Sequence, residues 1–257
     1  QTSYGKQLQR VEIVNTSEQK HKASYELVIV GAGPAGLTAS LYAQKFGIDH
    51  VLIEKNCFPK DKICGDGLAP LVFNILDELN IEIGNDDGFY KINEVEFKFS
   101  SNDTEPAYSS NNVSNSRTFN CKRLLFDEFL KEQGENGKHL LTAEVTAIDA
   151  ENNFIQCQSD GQHFQIKFKF LLLCTGSGRS LLPASEEDYS ENLALASRAY
   201  VEVESAGRKN FFEFFDEVAP GYLWTFPVSE TILNTGVYIS SKNFTSRTNS
   251  ACDNGRT

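Results

Sequence analysis

The sequence of 257 residues contains no methionine and a single tryptophan, with seven prolines and four histidines. No stretch approaches the roughly eighteen consecutive apolar residues that a membrane-spanning helix needs; the longest apolar runs are of strand length. Nor does the polar start have the charged-then-apolar layout of a signal peptide. His21, His50, His139 and His163 show no metal-ligand spacing and no nucleophile partner, so no metal site is expected. Positive charge is in deficit: 24 Lys and Arg against 35 Asp and Glu leave a formal charge of −11. That excludes electrostatic binding of nucleic acid and leaves a hydrophobic route for any peripheral membrane contact. Cys57, Cys64, Cys121, Cys157, Cys174 and Cys252 form no CxxC pair and no repeating interval, which reads as reduced thiols in a cytoplasmic protein. Asn-x-Ser/Thr sequons begin at Asn15, Asn102, Asn112 and Asn243, and an Asn- and Ser-rich chain produces these by chance. The missing methionine and the leading glutamine predict a piece of a longer protein.

What is present is ordinary in amount, 40% apolar and 23% charged residues, and informative in order. Residues 1–24 read as a polar extension. Tyr25 to Val30 is a nearly continuous apolar run rich in β-branched side chains, the pattern of a parallel strand buried on both faces. Glycines follow, then a helical stretch from Pro34 to Gly47, with proline near the first turn and glycine at the end. His50 to Glu54 is a second buried strand. Between the two strands lies Gly31-Ala32-Gly33-Pro34-Ala35-Gly36. Gly31 permits a tight turn, Gly33 lets a pyrophosphate approach the backbone, and Gly36 allows helix and strand to pack closely. The helix N-terminus offers Ala35 and its neighbours' N–H groups to phosphate oxygens. Glu54, ending the second strand, is placed to accept hydrogen bonds from an adenosine ribose, and an acid there disfavours NADP. The turn points to a dinucleotide, FAD or NAD.

Further along, Leu68 to Leu79 has helical spacing, Lys91 to Ser100 alternates as a strand, and the Ser- and Asn-dominated 101–116 reads as a loop. Arg123 to Glu132 is an amphipathic helix. Residues 144–149, 153–158 and 162–168 form a β meander with Asp160-Gly161 as a hairpin turn. Phe170 to Cys174 reads as a separate buried parallel strand ending in Thr175-Gly176. From 196 to 239 the pattern is antiparallel β, with strands at 196–204, 210–215, 222–226 and 232–239. Phe211, Phe212, Phe214 and Phe215 read as core. The stretch 241–257 is polar and aperiodic, a disordered or truncated tail.

Four segments together resemble the geranylgeranyl reductase family of FAD-dependent oxidoreductases, within the p-hydroxybenzoate hydroxylase-like superfamily. They are the glycine turn with Glu54; Phe58-Pro59-Lys60-Asp61-Lys62-Ile63-Cys64-Gly65-Asp66-Gly67-Leu68; Arg123-Leu124-Leu125-Phe126-Asp127; and Pro220-Gly221-Tyr222-Leu223-Trp224-Thr225-Phe226-Pro227 with Asn234-Thr235-Gly236-Val237. The resemblance implies an α/β fold, a Rossmann-type FAD-binding domain at 25–75 and 117–190 with an antiparallel β-sheet substrate domain at 76–116 and 191–240. It also implies an extended FAD held by Gly31, Gly33, Pro34, Ala35, Gly36, Glu54 and Lys55, and further along by Lys62, Cys64, Gly65, Arg123, Val145, Thr175 and Gly176. Arg123 would donate its fork to the pyrophosphate or ribityl side, and the Cys64-Gly65 loop would pass the isoalloxazine. Cys64 as a small buried apolar group and Lys62 as a solvated loop cation remain plain alternatives. Thr175 stands where hydroxylase relatives carry aspartate.

Tyr222, Trp224 and Phe226 alternate and so share one face of a strand; the resemblance makes that face the lining of the substrate cavity, though any sandwich core also needs such a face. The implied reaction is reduction of carbon–carbon double bonds in a prenyl-type lipid, with NAD(P)H or a ferredoxin-type donor. The alternatives are a flavin-dependent monooxygenase or halogenase, and a non-catalytic or incomplete FAD-binding protein. The last draws on the family's closing Gly-Asp segment, which does not follow Val237, so an incomplete active site is expected. No side chain stands out as a catalytic acid or base.

Overall fold

A computed structural model describes residues 15–16, 19–20, 23–84, 87–101, 104–134, 138–178, 180–181 and 194–240. In chain order its elements are β1 (Asn15–Thr16), β2 (Gln19–Lys20), β3 (Ser24–Val30), α1 (Pro34–Lys45), β4 (His50–Glu54), β5 (Gly67–Leu68), α2 (Pro70–Glu78), β6 (Tyr90–Lys91), β7 (Glu94–Ser101), β8 (Thr104–Asn112), β9 (Phe119–Asn120), α3 (Arg123–Glu132), β10 (Leu140–Thr142), β11 (Glu144–Asp149), β12 (Phe154–Ser159), β13 (Gln162–Leu173), β14 (Ala194–Glu202), β15 (Lys209–Phe215), β16 (Gly221–Pro227) and β17 (Ile232–Ser240). The fold is mixed α/β. Its backbone contacts divide it into two units, Gln1–Phe58 with Leu130–Leu182, and Pro59–Phe129 with Pro183–Thr257. This division groups residues 59–75 and 117–129 with the antiparallel sheet, whereas the sequence pattern groups them with the glycine turn.

In the first unit a six-stranded sheet runs β10-β4-β3-β13-β12-β11, parallel from β10 through β13 and antiparallel beyond. Val28, Val30, Val51 and Ile53 pack on one side against Leu141, Ala143, Val145, Ile155, Cys157 and Ile166. This is why β3 and β4 are apolar without a break at 27–30 and 51–53: their other side, with Ile29 and Leu52, is buried too. At 25 cal/mol per Å² of apolar surface, burying each such side chain stabilises the fold by roughly 2 kcal/mol.

Two expectations give way here. The strand expected at 162–168 and the one expected at 170–174 are a single strand, β13, antiparallel to β12 in its first half and parallel to β3 from Lys167 to Leu173. Local pattern sees a change of period, but the chain needs no break to exchange one neighbour for another. Nor is that second half buried on both faces. Phe170 is 66% and Leu172 40% exposed; in register with Leu27 and Ile29, they share the face that α1 covers over β3 and β4. The hairpin turn is as expected, with φ of +49° at Asp160 and +75° at Gly161, the left-handed pair that a tight two-residue turn requires.

In the second unit the sheet order is β14-β17-β16-β15-β7-β8, antiparallel except for β15 beside β7, and β5-β9-β6 make a small separate sheet. Residues 104–112, expected as loop, form β8, paired with β7 from Thr104 to Asn112. Its Ser and Asn side chains are exposed, as suits an edge strand, and pairing overrides the weak strand preference of those residues. None of the phenylalanines of β15 is fully buried.

Candidate cofactor and substrate sites

The glycine turn of the first unit is shaped by backbone. Gly31 sits at φ +99°, and a Cβ there would lie 2.5 Å from the Cys174 carbonyl oxygen. A Cβ on Gly36 would lie 1.8 Å from the Gly31 carbonyl oxygen. Gly31 N–H donates to Ile53 at 2.7 Å and Cys174 N–H to Val30 at 2.7 Å, so the turn is wedged between the ends of β4 and β13. Gly33 is the N-cap of α1 in extended conformation, φ −80° and ψ −175°; no side chain caps the helix, and its first turn has no acidic residue. N–H groups left without a cap, together with the positive end of the helix dipole, suit an anion.

Glu54 is 7% exposed. Its Oε2 accepts the Ala32 N–H at 2.9 Å and its Oε1 the Asn56 N–H at 3.0 Å. The carboxylate thus braces the turn itself, a role the strand-end position alone does not reveal. The Thr175 hydroxyl donates to the Gly178 carbonyl at 2.7 Å, and Gly176 is left-handed at φ +62°; this turn lies against Gly31 through Cys174. Gly31, Gly33, Pro34, Ala35, Gly36, Glu54, Thr175 and Gly176 are therefore brought together around one backbone loop. Lys55 stands apart, 4.0 Å from Glu144 with both side chains more than half exposed, and such a pair is worth little. Val145 is 8% exposed within the apolar core.

In the second unit the face of the sheet that carries β16's alternating aromatics is wider than the sequence pattern indicated. In register across the strands, Phe97 and Phe99 of β7 meet Phe212 and Phe214 of β15, each pair stacked at 5.1 Å. Phe212 packs on Phe226 at 4.9 Å and on Tyr222 at 5.6 Å, and Tyr222 stacks on Tyr238 of β17 at 5.4 Å. Trp224 completes the face, its indole over Gly236, where a Cβ would come within 2.3 Å of the ring. Phe99 and Tyr238, at the outer end, are 48% and 40% exposed.

At the inner end the Cys64–Gly67 loop is seated on this face. A Cβ on Gly65 would lie 3.0 Å from the Phe226 ring and 3.4 Å from the Trp224 Nε1. The seat is held by polar groups. Asn234, fully buried, accepts the Trp224 indole N–H at 2.9 Å and donates its amide to the Cys64 carbonyl at 2.8 Å and to Asp66 Oδ2 at 2.6 Å. Asp66, 1% exposed and left-handed at φ +66°, also accepts the Tyr200 hydroxyl at 2.7 Å and the Arg123 N–H at 3.1 Å. Burial pushes the Asp66 carboxyl above the usual aspartate range, the donors around it opposing that only in part. Arg198 pairs with Asp61 at 2.5 Å and stands 4.0 Å from Asp66.

Cys64 and Gly65 are half-buried and Lys62 is exposed. Arg123 holds Asp127 through Nε and Nη2, both at 2.8 Å, and that pairing raises its pKa further. One edge of the fork expected to meet a diphosphate is thus engaged within α3, and the guanidinium also interacts with Cys64. Among the described residues no group of three or more His, Cys, Asp or Glu is placed to hold a metal. Asp66, Tyr200, Arg198, Phe97, Phe99 and Tyr238 were not singled out from sequence, and Phe212 and Phe214 were read as core. Alternation through 212 and 214 carried a signal for the phenylalanines; nothing local pointed to Asp66 or Tyr200.

A family model for pyridine nucleotide-disulphide oxidoreductases matches residues 25–210. Digeranylgeranylglycerophospholipid reductase 1 of Methanococcoides burtonii is 27% identical over 237 residues, 85% of this chain and 55% of its own. Among solved structures, a geranylgeranyl bacteriochlorophyll reductase-like protein of Thermoplasma acidophilum superposes with a TM-score of 0.65 at 21% identity, covering 84% of this chain and 57% of that one. The myxobacterial chondrochloren halogenase CndH superposes with a TM-score of 0.67 at 20% identity, covering 87% and 54%. The chain spans about half the length of the curated relatives it matches. No helix among the described residues is long and apolar enough to cross a membrane.

Proposed function

Because the chain belongs to the pyridine nucleotide-disulphide oxidoreductase family, we propose that it is part of an FAD-dependent oxidoreductase that reduces carbon–carbon double bonds of an apolar, prenyl-type substrate. Its cofactor is FAD. The residues fit that group: the uncapped N-terminus of α1 suits an anion, and glycines 31 and 36 permit the close backbone packing that shapes the turn in front of it. Bound FAD supplies the hydride chemistry. The chain supplies binding, orientation and exclusion of water.

In this reading the pyrophosphate meets Gly33 and the N–H groups of Ala35 and Gly36, while Glu54 holds the turn rigid through Ala32 and is the ribose's partner. Thr175 and Gly176, beside the same turn, are further FAD contacts, with Val145 and Lys55 at the periphery of that set. The observation that carries the substrate class is the aromatic face of β7, β15, β16 and β17, whose rings offer an apolar chain dispersion contacts and no charge to solvate. The relatives named for prenyl-lipid reduction support it. Electrons would come from NAD(P)H or a ferredoxin-type donor.

The test is direct. FAD-loaded protein is reduced with dithionite under nitrogen and mixed with geranylgeranyl lipid; reoxidation with a saturated product supports the reading, and no reoxidation refutes it. A second reading, a monooxygenase or halogenase, is favoured by the superposition on CndH. It predicts reoxidation by oxygen with an oxygenated or halogenated aromatic product. A flavin that binds and cannot be reduced would mark a non-catalytic FAD protein.

A further inference from the structure

The Asn234 amide of the second unit has no freedom of orientation. Flipped, it would turn its NH2 toward the Trp224 N–H and its oxygen toward the Cys64 carbonyl and the Asp66 carboxylate, three repulsions in place of three hydrogen bonds. Asp66 is constrained likewise. Arg123 N–H donates to Oδ1, while the Tyr200 hydroxyl and the Asn234 amide both donate to Oδ2. Three donors on one carboxylate match its ionised form; a proton there removes the charge that strengthens all three bonds and, on Oδ2, competes with Tyr200 and Asn234.

We propose that Asp66 and Asn234 are positioning residues of the aromatic face: the ionised carboxylate fixes the Asn234 amide, which sets the Trp224 indole and seats Cys64–Gly65, so that loop and face loosen together when Asp66 takes up a proton. The functional meaning rests on the reading of that face as the substrate wall; the clamp itself is a property of the free protein. Burial moves the Asp66 titration upward from the ordinary aspartate range. Other titratable and charged groups face it from every side. Its own loop brings Asp61, held low by Arg198, and Cys64. The segment entering α3 brings Cys121, whose thiol burial pushes up to about 12, and Arg123 with Asp127. β14 brings Arg198 and Tyr200, the latter under Lys122 at 4.7 Å and raised by burial. β16 and β17 bring Trp224 and Asn234, which do not titrate. Asp66 is the group here that burial pulls toward neutrality while its hydrogen bonds favour the charged form.

The sequence has one tryptophan, so fluorescence excited at the red edge, beyond tyrosine absorption, reads Trp224 alone. The full chain without flavin is titrated from neutral to mildly acid pH, recording emission, acrylamide quenching and far-UV circular dichroism. In the wild type, emission shifts to the red and quenching rises in one step above the ordinary aspartate range, before secondary structure is lost. Asp66→Asn removes the step and has acid-like emission at every pH. Tyr200→Phe, which deletes one donor and little volume, moves the midpoint upward and guards against a failure of the first variant to fold. A wild type with no step before unfolding, or a step unmoved by Tyr200→Phe, overturns the proposal. No part of the readout needs FAD or substrate. A chain showing these shifts that reduces no prenyl lipid would sink the functional reading and leave the clamp standing.

Discussion

The two candidate sites are built on opposite principles. The glycine turn of the first unit is assembled from neighbours in sequence, and its geometry is imposed by what glycine lacks: 31 and 36 leave no room for a Cβ against backbone oxygens. The seat of the second unit is assembled from side chains far apart in sequence, Cys64, Asp66, Arg123, Tyr200, Trp224 and Asn234, and its geometry is imposed by matching donors to acceptors. A turn made of absences tolerates almost no substitution and titrates little. A seat made of buried polar groups can be loosened one hydrogen bond at a time, and by a proton.

That contrast predicts an order of effects. Gly36→Ala should be the most damaging to cofactor binding, because a methyl 1.8 Å from a carbonyl oxygen forces the turn apart. We expect complete loss of FAD binding and a fall in stability of about 2–3 kcal/mol by denaturant unfolding. Gly33→Val separates binding from folding: at φ −80° and ψ −175° a side chain is conformationally tolerated, so FAD binding is lost while the thermal midpoint changes little. Asn234→Ala leaves the indole N–H and the Cys64 carbonyl without their buried partner. It should cost about 1–3 kcal/mol for each such group, while FAD still binds the glycine turn.

The pH dependence is smaller, and its sign distinguishes the two regions. Asp66 has a raised folded-state pKa, so in the window between the ordinary aspartate value and that raised value the folded state binds more protons than the unfolded. Stability contributed by Asp66 is full below the window and is lost as pH rises through it. Asp66→Asn should flatten this part of the stability profile; a profile unchanged in the variant would assign the dependence elsewhere. Lys55→Ala should do least, within about 0.5 kcal/mol, since its pairing with Glu144 is solvent-exposed.

The same contrast explains what the sequence disclosed. The strand–turn–helix–strand order from Tyr25 to Glu54 was legible almost to the residue because each signal, the β-branched runs, the glycines and Pro34 at the helix start, is local. β8 was not, because its Ser and Asn become a strand by pairing with β7. β13 was read as two strands because its change of partner occurs in space and leaves only a change of period in the sequence. The alternation of Tyr222, Trp224 and Phe226 showed one strand's face. The rings that extend it, at 97, 99, 212, 214 and 238, required the register of four strands. Asp66 was visible as part of a glycine-rich loop; that its carboxylate is buried beneath Tyr200 and Asn234 depends on chain more than a hundred residues away.

The central claim, that the turn at 31–36 holds FAD through backbone approach, is tested by purifying wild type and Gly33→Val together, adding FAD, removing the excess and recording visible absorption beside circular dichroism. The account predicts a retained flavin spectrum in the wild type and a colourless, equally folded variant. A variant that keeps its flavin, or a wild type that takes up none, would contradict it.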